Sequence, residues 1–208
     1  LEDVERNEID DVLDRFVLMT TVVSQGFGQL RALAEHDRID CPVYAHRSGH
    51  AAYTRTDHGI SMQVFEKLSR LSGADFAHCG AYKGIHGYSK VQVVQNKNAL
   101  TQRNGVWSAV EPTLPVLSGG ITPENMSENL RGVSSGGIAT DVSIHLGGSV
   151  YALGGTLEDV ASAIRANRQA IEAATEFKSP DEILSGRDER FEEMRQWIRQ
   201  VNDEYRDG

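Results

Sequence analysis

The stretch from Cys41 to Gly80 reads CPVYAHRSGHAAYTRTDHGISMQVFEKLSRLSGADFAHCG, and it decides the fold. Two short apolar runs within it, VYAH and DFAH, each end in a histidine, at His46 and His78. The residues between them have the spacing of one amphipathic helix, so the stretch predicts a strand, a helix and a second, parallel strand. In β/α barrels the side chains at the carboxyl ends of strands face the active site, so these two histidines are the first candidate site residues.

The rest of the chain continues this alternation of strands and helices. Successive strand ends are separated by about 30 residues, which is the repeat of a (β/α)8 TIM barrel of roughly 250 residues. The sequence therefore predicts an α/β fold to which this chain contributes about five βα units, and five parallel strands cannot close a barrel by themselves. A longer chain or a partner subunit is needed for the remaining strands. The predicted strands are 16–23, 43–46, 75–79, 114–117 and 141–146.

Two of these elements carry specific expectations. The run FVLMTTVV at 16–23 is continuously apolar or β-branched, which is typical of a strand buried on both faces. The helix at 58–71 begins at His58, is stopped by Gly73 and has one apolar face, formed by Ile60, Val64, Leu68 and Leu71. Residues 1–178 are predicted to form the barrel part and residues 179–208 a helical extension. Further helices are predicted at 1–14, 29–35, 90–102 and 157–174, from Pro123, and as two short helices after Ser179.

Composition narrows the class of function. With 208 residues, 39% of them hydrophobic, the chain is long enough to bury a core. Its 21 basic and 30 acidic residues give a net charge of -9, which disfavours binding to nucleic acid or anionic lipid and favours a small-molecule ligand. No apolar run is long enough to cross a bilayer, and no leader is expected. Two cysteines, Cys41 and Cys79, favour a reducing cytoplasm, and Leu1 in place of Met indicates a processed or excised piece.

Glycine-rich turns follow the last two predicted strands, SGG at 118–120 and GGS at 147–149. Glycine lets the main chain approach phosphate oxygens, and a helix that follows directs its positive end at them. The alternative is that these are ordinary turn residues. Arg47 offers a forked donor for a second phosphate or a carboxylate, or it is a surface arginine. The candidate phosphate-binding residues in the two turns are Ser118, Gly119, Gly120, Gly147 and Gly148.

Histidines supply the candidate acid–base groups. His46 and His78 each serve as general acid, general base or neutral hydrogen-bond donor near neutral pH, and their place on adjacent strands beside Arg47 favours a shared site over separate structural roles. His50 follows four positions after His46 and either lines the same pocket or packs. Lys83, in a glycine-flanked loop, either closes over a bound anion or is a solvated loop lysine. Carboxylates do not cluster at any strand end, so no magnesium site is predicted within this chain.

Several stretches of the sequence resemble those of a known family. HRSGHAAYTRTDHGISMQVFEKLSRLSGADFAHCG, at 46–80, resembles the stretch of RuBisCO large chains, especially the archaeal form III type, that reads HRAMHAAxTRxxxHGISMxxxxKLxRLxGxDxxHxG. The likeness continues through KGIHG at 83–87, LPVLSGGI at 114–121, the glycine pair at 147–148 and RANRQAIEA at 165–173. What it implies is the carboxyl-terminal part of the family's barrel, strands four to eight.

The resemblance also implies roles for single residues. His46 matches the histidine that acts in proton transfer on the bound sugar, and Arg47 matches the arginine that holds one substrate phosphate. His78 and Ser118 match two further residues around that phosphate, and His50 matches a histidine near the site. The implied substrates are ribulose 1,5-bisphosphate and CO2, the implied product is 3-phosphoglycerate, the implied cofactor is Mg2+ held by ligands outside this chain, and the implied assembly is a homodimer or higher oligomer. The positions that match backbone contacts to the other phosphate are Gly120, Gly147 and Gly148.

The sequence departs from the family pattern in three places. The family's mobile loop carries its lysine after a glycine, whereas here Lys83 precedes Gly84 and the loop is one residue shorter. HRAMH is replaced by HRSGH, and Cys79 stands where a small residue commonly follows the second histidine. The family's carbamylated lysine, acidic metal ligands and amino-terminal domain have no counterpart in these residues, so this chain alone is not expected to catalyse carboxylation.

Three hypotheses follow from the resemblance and the departures. The first is a form III-like RuBisCO represented by its carboxyl-terminal part. The second is a RuBisCO-like enzyme that carries out enolisation, isomerisation or decarboxylation of another phosphorylated sugar, and the altered loop at Lys83 is its main support. The third is a non-catalytic phosphosugar-binding subunit, which the missing strands favour. We favour the first.

Overall fold

The computed structural model describes residues 16–85, 88–134 and 137–206, so the helix predicted at 1–14 lies outside the described residues. The chain divides into two compact units. Unit 1 comprises Leu1–Cys79 and Gln95–Val116, and unit 2 comprises Gly80–Val94 and Leu117–Gly208.

Five strands lie in one sheet in the order in which they occur in the chain. β1 pairs with β2, β2 with β3 and β3 with β4, each in parallel, as expected for strands joined by crossovers. The strands predicted at 43–46 and 114–117 have the observed bounds, whereas those predicted at 75–79 and 141–146 are shorter in the structure. The strands are β1 Leu18–Thr21, β2 Val43–His46, β3 Phe76–His78, β4 Leu114–Leu117 and β5 Ser143–Ile144.

The first strand differs from the prediction in length and burial. β1 ends at Thr21, and Val22 already begins a helical turn. Phe16 is 54% and Met19 is 59% exposed, so the expectation of a strand buried on both faces is wrong. The physical reason is position: among the described residues β1 pairs only with β2, so this strand is at an edge of the sheet and no strand lies along its outer side.

The helices of the first half confirm the predicted alternation, with different starts. The helix predicted from His58 begins at Met62, because Ser61 caps it by accepting a hydrogen bond from the Val64 N–H at 3.3 Å. Residues 24–28, directly after the predicted first strand, are largely helical. The helices in this half are α1 Val22–Gln25, α2 Phe27–Ala34, α3 Ala51–Thr54, α4 Met62–Leu71 and α5 Lys90–Thr101, followed by a 3-10 helix at Gly105–Ala109.

The buried face of α4 is not the apolar face that the sequence predicts. Val64 is 42% and Leu71 is 49% exposed, so the predicted face is wrong. The reason lies in Arg70, whose guanidinium donates hydrogen bonds to the backbone carbonyls of four residues beyond the helix and is thereby satisfied without water. The buried residues of α4 are Phe65, Glu66, Ser69 and Arg70. The acceptors of Arg70 are the carbonyls of Gln102, Trp107, Val110 and Glu111.

In the second half, the helix predicted from Pro123 begins at Met126 instead. The Asn125 side chain explains the delay, since its oxygen accepts the Thr122 N–H at 2.9 Å and its amide donates to the Gly120 carbonyl at 2.9 Å, which fixes a turn before the helix. The helices are α6 Met126–Gly132, α7 Gly148–Tyr151, α8 Leu157–Thr175, α9 Pro180–Ser185 and α10 Glu192–Arg206, with a 3-10 helix at Glu189–Phe191.

The core of unit 2 is built on α8. A row of alanines on α8 is buried, and these small side chains let α6 and α10 pack against it. The end of the chain was predicted as two short helices, but α10 has 15 residues and places Trp197 in the core, 2% exposed. The Trp197 indole N–H donates to the Ser149 carbonyl at 3.0 Å. The buried alanines are Ala163, Ala166, Ala170, Ala173 and Ala174.

Candidate active site at the strand ends

The two predicted histidines lie side by side in unit 1. β2 and β3 pair in parallel with Tyr44 opposite Phe76 and Ala45 opposite Ala77, which brings the strand-end residues His46 and His78 to the same level. Their ring centroids are 4.8 Å apart and the rings are inclined at 77°. The sequence pattern predicted this juxtaposition from two apolar runs, each ending in a histidine.

Tyr44 joins this pair, and it was missed in the sequence. Its hydroxyl forms a hydrogen bond with Nε2 of His78, and its ring lies 6.1 Å from the ring of His46. Tyr44 is 4% exposed, and burial raises the pKa of its phenol, so the hydroxyl keeps its proton at neutral pH. The signal in the sequence was the strand period of two, which places Tyr44 and His46 on the same face of β2.

His46 is held as a neutral imidazole. Burial, and secondly the nearby positive charge of Arg47, lowers its pKa below the ordinary histidine value. Its Nδ1 accepts a hydrogen bond from the Ser48 N–H at 3.1 Å. In the neutral form the proton is therefore on Nε2, which leaves this nitrogen as the group that can donate to a ligand.

Arg47 is buried, and a glutamate lies beside it. The side chain of Arg47 is 7% exposed, so the alternative that Arg47 is a surface arginine is wrong. Its Nη1 is 3.8 Å from Oε1 of Glu66, whose side chain is 1% exposed on α4. Burial raises the pKa of Glu66 to about 8, although the charge of Arg47 acts in the opposite direction. Glu66 was also missed in the sequence, because a single glutamate in an amphipathic helix is normally solvated.

The same part of unit 1 contains Cys79 and His50. Burial raises the pKa of the Cys79 thiol to about 12, so this cysteine is a protonated core residue rather than a nucleophile. His50 is 7% exposed, and its Nδ1 is 2.9 Å from Oγ1 of Thr54. Its backbone N–H bonds the Arg47 carbonyl at 2.9 Å, which fixes the turn after β2.

Lys83 lies in unit 2 and forms an ion pair. Its Nζ is 2.9 Å from Glu128 on α6, and both side chains are about half exposed. This pairing raises the pKa of Lys83. The residue has a φ of 54°, a left-handed conformation that is uncommon outside glycine.

The SGG turn is in unit 2 and is closely packed. Gly119 and Gly120 have φ values of 98° and 89°. A Cβ atom on Gly120 would lie 2.8 Å from the nitrogen of Ile85, so no larger residue fits there without a shift of the backbone. The N–H of Ile85 donates to the Gly119 carbonyl at 2.9 Å, and Ser118 is 8% exposed. Packing against the Lys83 loop therefore accounts for the glycine at position 120.

Gly147 and Gly148, also in unit 2, are in a different situation. Both are exposed, and a Cβ atom on either would meet no atom within 4 Å. Neither has a positive φ. Neither packing nor left-handed backbone geometry accounts for these two glycines, in contrast to Gly120.

Comparison with known proteins identifies the family. Residues 2–198 match the sequence model described as ribulose bisphosphate carboxylase large chain, catalytic domain. The chain belongs to the RuBisCO large chain family. Its α/β sheet is accordingly part of a (β/α)8 TIM barrel, and the family resemblance of the sequence is confirmed.

Several of the RuBisCO relatives that the chain matches are archaeal. The ribulose bisphosphate carboxylase of Methanosarcina barkeri is 31% identical over 215 residues, which cover 95% of this chain and 47% of the relative. The octameric RuBisCO of Pyrococcus horikoshii has a TM-score of 0.73 at 28% identity, with 90% of this chain and 42% of that one covered. A dimeric archaeal RuBisCO from Hyperthermus butylicus has a TM-score of 0.71 at 26% identity, covering 94% and 46%. The chain thus spans about half the length of the curated relative.

In this RuBisCO chain the described residues do not form a metal site. No three His, Cys, Asp or Glu side chains in ranges 16–85, 88–134 and 137–206 come together in a way that could hold an ion. The residues present therefore do not fit Mg2+ by themselves. No helix in the described part of the chain is long and apolar enough to cross a membrane.

Proposed function

We propose that the complete protein is a form III-like ribulose 1,5-bisphosphate carboxylase and that this chain supplies the carboxyl-terminal part of its catalytic barrel. The reaction would be addition of CO2 to the enediolate of ribulose bisphosphate, followed by hydration and cleavage to two molecules of 3-phosphoglycerate. The observation that carries the proposal is the pairing of His46 and His78, 4.8 Å apart, beside the buried Arg47.

The unit 1 residues have the chemistry that these roles need. His46 is neutral near pH 7 and bears its proton on Nε2, so it suits a group that donates or exchanges a proton with a sugar oxygen. Arg47 supplies a fixed cation for one phosphate. His78, oriented by Tyr44, is proposed to bind the same phosphate, and His50 to support the turn that carries Arg47.

The unit 2 residues are proposed to bind phosphate mainly through the main chain. Ser118 offers a hydroxyl directly after β4. The exposed glycines at 147 and 148 leave open space where a Cβ atom would otherwise stand, which suits the close approach of an anion. Lys83 is proposed as the loop lysine that acts on the carboxylated intermediate, after leaving Glu128. The proposed backbone contacts come from Gly119, Gly120, Gly147 and Gly148.

We propose that Mg2+ is bound by ligands outside this sequence. The proposed partners are ribulose 1,5-bisphosphate, CO2 and a second copy of the complete protein, because relatives are dimeric or octameric. With only two cysteines in a chain of 208 residues, the composition suits a reducing compartment, and the proposed location is the cytoplasm. The division at residue 178 into barrel and helical extension stays a prediction.

One observation favours a second candidate function. Lys83 is engaged with Glu128 and precedes Gly84 in its loop. This departure from the family's loop favours a RuBisCO-like enzyme that would enolise, isomerise or decarboxylate another phosphorylated sugar without fixing CO2. Such an enzyme would keep the proton chemistry of His46 and the phosphate contact of Arg47.

The deciding experiment measures two reactions of the complete protein with Mg2+, labelled bicarbonate and ribulose bisphosphate. These are incorporation of label into 3-phosphoglycerate and exchange of the sugar C3 proton with solvent. For the carboxylase, Lys83→Ala abolishes incorporation but spares exchange, His46→Asn reduces both, and Lys90→Ala changes neither. Exchange without incorporation in the wild type would establish the RuBisCO-like reaction instead. Binding of the sugar with neither reaction would make the protein a binding subunit.

A further inference from the structure

Glu66 stands out among the buried groups of unit 1. It is a carboxyl group with 1% side-chain exposure on the buried face of α4, and its Oε1 accepts no hydrogen bond within the described part of the chain. The nearest charge is the guanidinium of Arg47, at 3.8 Å. Burial of a carboxyl group favours its protonated form, and the ionised form of Glu66 depends on compensation by a cation such as Arg47.

The titratable groups that face Glu66 come from two further elements. Arg47 and Tyr44 belong to β2 and the turn after it, and Cys79 follows β3; each is electrostatically coupled to Glu66. Burial raises the pKa of Cys79 to about 12 and raises that of Tyr44 as well, while the pKa of His46, which faces Arg47, is lowered. Of these groups, Glu66 is therefore the one that changes charge between about pH 7 and pH 9.

We propose that Glu66 is a positioning residue that acts through Arg47: its ionised form pairs with the guanidinium when no ligand is bound, and this form takes up a proton when a phosphate or sulfate dianion becomes the partner of Arg47. This inference rests on the anion-binding role of Arg47 in the proposed function. It assigns the support of Arg47 to a residue of helix α4, whereas the other candidate residues of unit 1 lie at or directly after the strand ends.

The reason is competition for a single cation. A dianion placed on Arg47 removes the positive charge that stabilises an ionised Glu66 and adds negative charge nearby, and both effects favour the protonated carboxyl. By linkage, a dianion that raises the proton affinity of Glu66 binds more tightly at a pH at which Glu66 is protonated. Anion affinity in the wild type is therefore expected to fall about five- to tenfold from pH 7 to pH 9.

The experiment uses sulfate as the probe, because it remains a dianion throughout this range and cannot itself release or take up the proton. Sulfate is titrated into the complete protein in weakly buffered solution at pH 8.5 and constant ionic strength. Proton uptake is measured with a pH electrode, and the binding isotherm is recorded in parallel. Wild type is expected to take up about half a proton or more per bound sulfate. Arg47→Met is expected to lose both binding and uptake.

Variants of Glu66 separate coupling from a structural role. Glu66→Gln keeps the shape, so it is expected to bind sulfate with no proton uptake and with an affinity that is constant from pH 7 to pH 9. Glu66→Met removes the same proton site with an apolar chain of similar length and serves if the glutamine variant does not fold. Glu111→Gln is the matched control, since Glu111 is 94% exposed on its side chain and should behave as wild type.

Each result decides the inference. Equal proton uptake in wild type and Glu66→Gln, or sulfate binding by wild type without uptake, would overturn it. No sulfate binding by wild type would overturn the anion site at Arg47 together with it. Coupled uptake in a protein that fails to fix CO2 would reject only the proposed reaction and leave the role of Glu66 established.

Discussion

The hydroxyl of Tyr44 hydrogen-bonds to Nε2 of His78, linking the side chains of two neighbouring parallel strands at the end of the sheet where His46 also lies. Because burial keeps the phenol protonated, Tyr44 can donate this hydrogen bond to a neutral His78. One buried hydroxyl thereby helps to orient the imidazole of His78.

If the complete protein is the proposed carboxylase, Tyr44→Phe is expected to reduce its turnover about tenfold, because the imidazole of His78 loses its fixed orientation. The cost to stability should be about 1 to 3 kcal/mol, since the variant loses a buried hydrogen bond with little change in side-chain volume. Urea unfolding and the proton-exchange assay measure the two effects. Tyr151→Phe, at a position 69% exposed, is the control, and equal activity of both variants would contradict the orienting role.

Arg70→Met is expected to destabilise unit 1 by about 3 kcal/mol or more, since four backbone carbonyls lose their donor inside the protein. The midpoint of urea unfolding reports this change. Arg103→Met is the matched control, because the side chain of Arg103 is 64% exposed and lies 3.9 Å from Glu111. A shift in Arg70→Met no larger than in the control would show that the carbonyls find other partners.

Gly120→Ala and Gly148→Ala form a second matched pair. At position 120 the backbone has a φ of 89° and a new Cβ atom would lie 2.8 Å from the Ile85 nitrogen, so we expect a loss of about 1 to 3 kcal/mol in stability. At position 148 nothing lies within 4 Å, so stability should be unchanged. Thermal unfolding compares the two, and weaker phosphosugar binding by Gly148→Ala alone would support its proposed contact.

Glu66 also makes stability depend on pH. Its folded-state pKa is raised to about 8 from an ordinary value of 4.5, so its contribution is fully present below pH 4.5 and is lost as pH rises through 8. Glu66→Gln should remove this loss and be more stable than wild type at pH 8.5 by about 1 kcal/mol or more. Urea unfolding at pH 6 and pH 8.5 tests this. If the free energy of unfolding changed by the same amount between pH 6 and pH 8.5 in wild type and in Glu66→Gln, this prediction would be contradicted.

The part of the fold that the sequence predicted rests on local signals. VYAH and LPVL are short apolar runs bounded by turn residues, and β2 and β4 have the predicted bounds. The pairing of His46 with His78 also followed, because parallel strands end at the same edge of a sheet. The RuBisCO family was recognisable from several motifs that follow one another in a fixed order along the chain, and no single strand or helix carries all of them.

What was missed depends on contacts distant in sequence. The buried face of α4 was wrong because Arg70 is satisfied by carbonyls 32 to 41 residues away, which no helical periodicity encodes. Glu66 was overlooked for the same reason, since its significance comes from Arg47 on a neighbouring element. β1 was predicted too long and too buried, because an apolar run shows neither where a strand ends nor what covers its faces.

The two tryptophans of the chain are divided between its two units, which makes each a separate optical reporter. Trp107, in unit 1, lies under the cations of Lys67 and Arg70, at 5.3 and 5.2 Å from its ring. Trp197, in unit 2, is enclosed in the core. Replacing one indole at a time by phenylalanine would give emission spectra that follow each unit independently, and non-coincident denaturation curves would reveal whether one unit melts before the other.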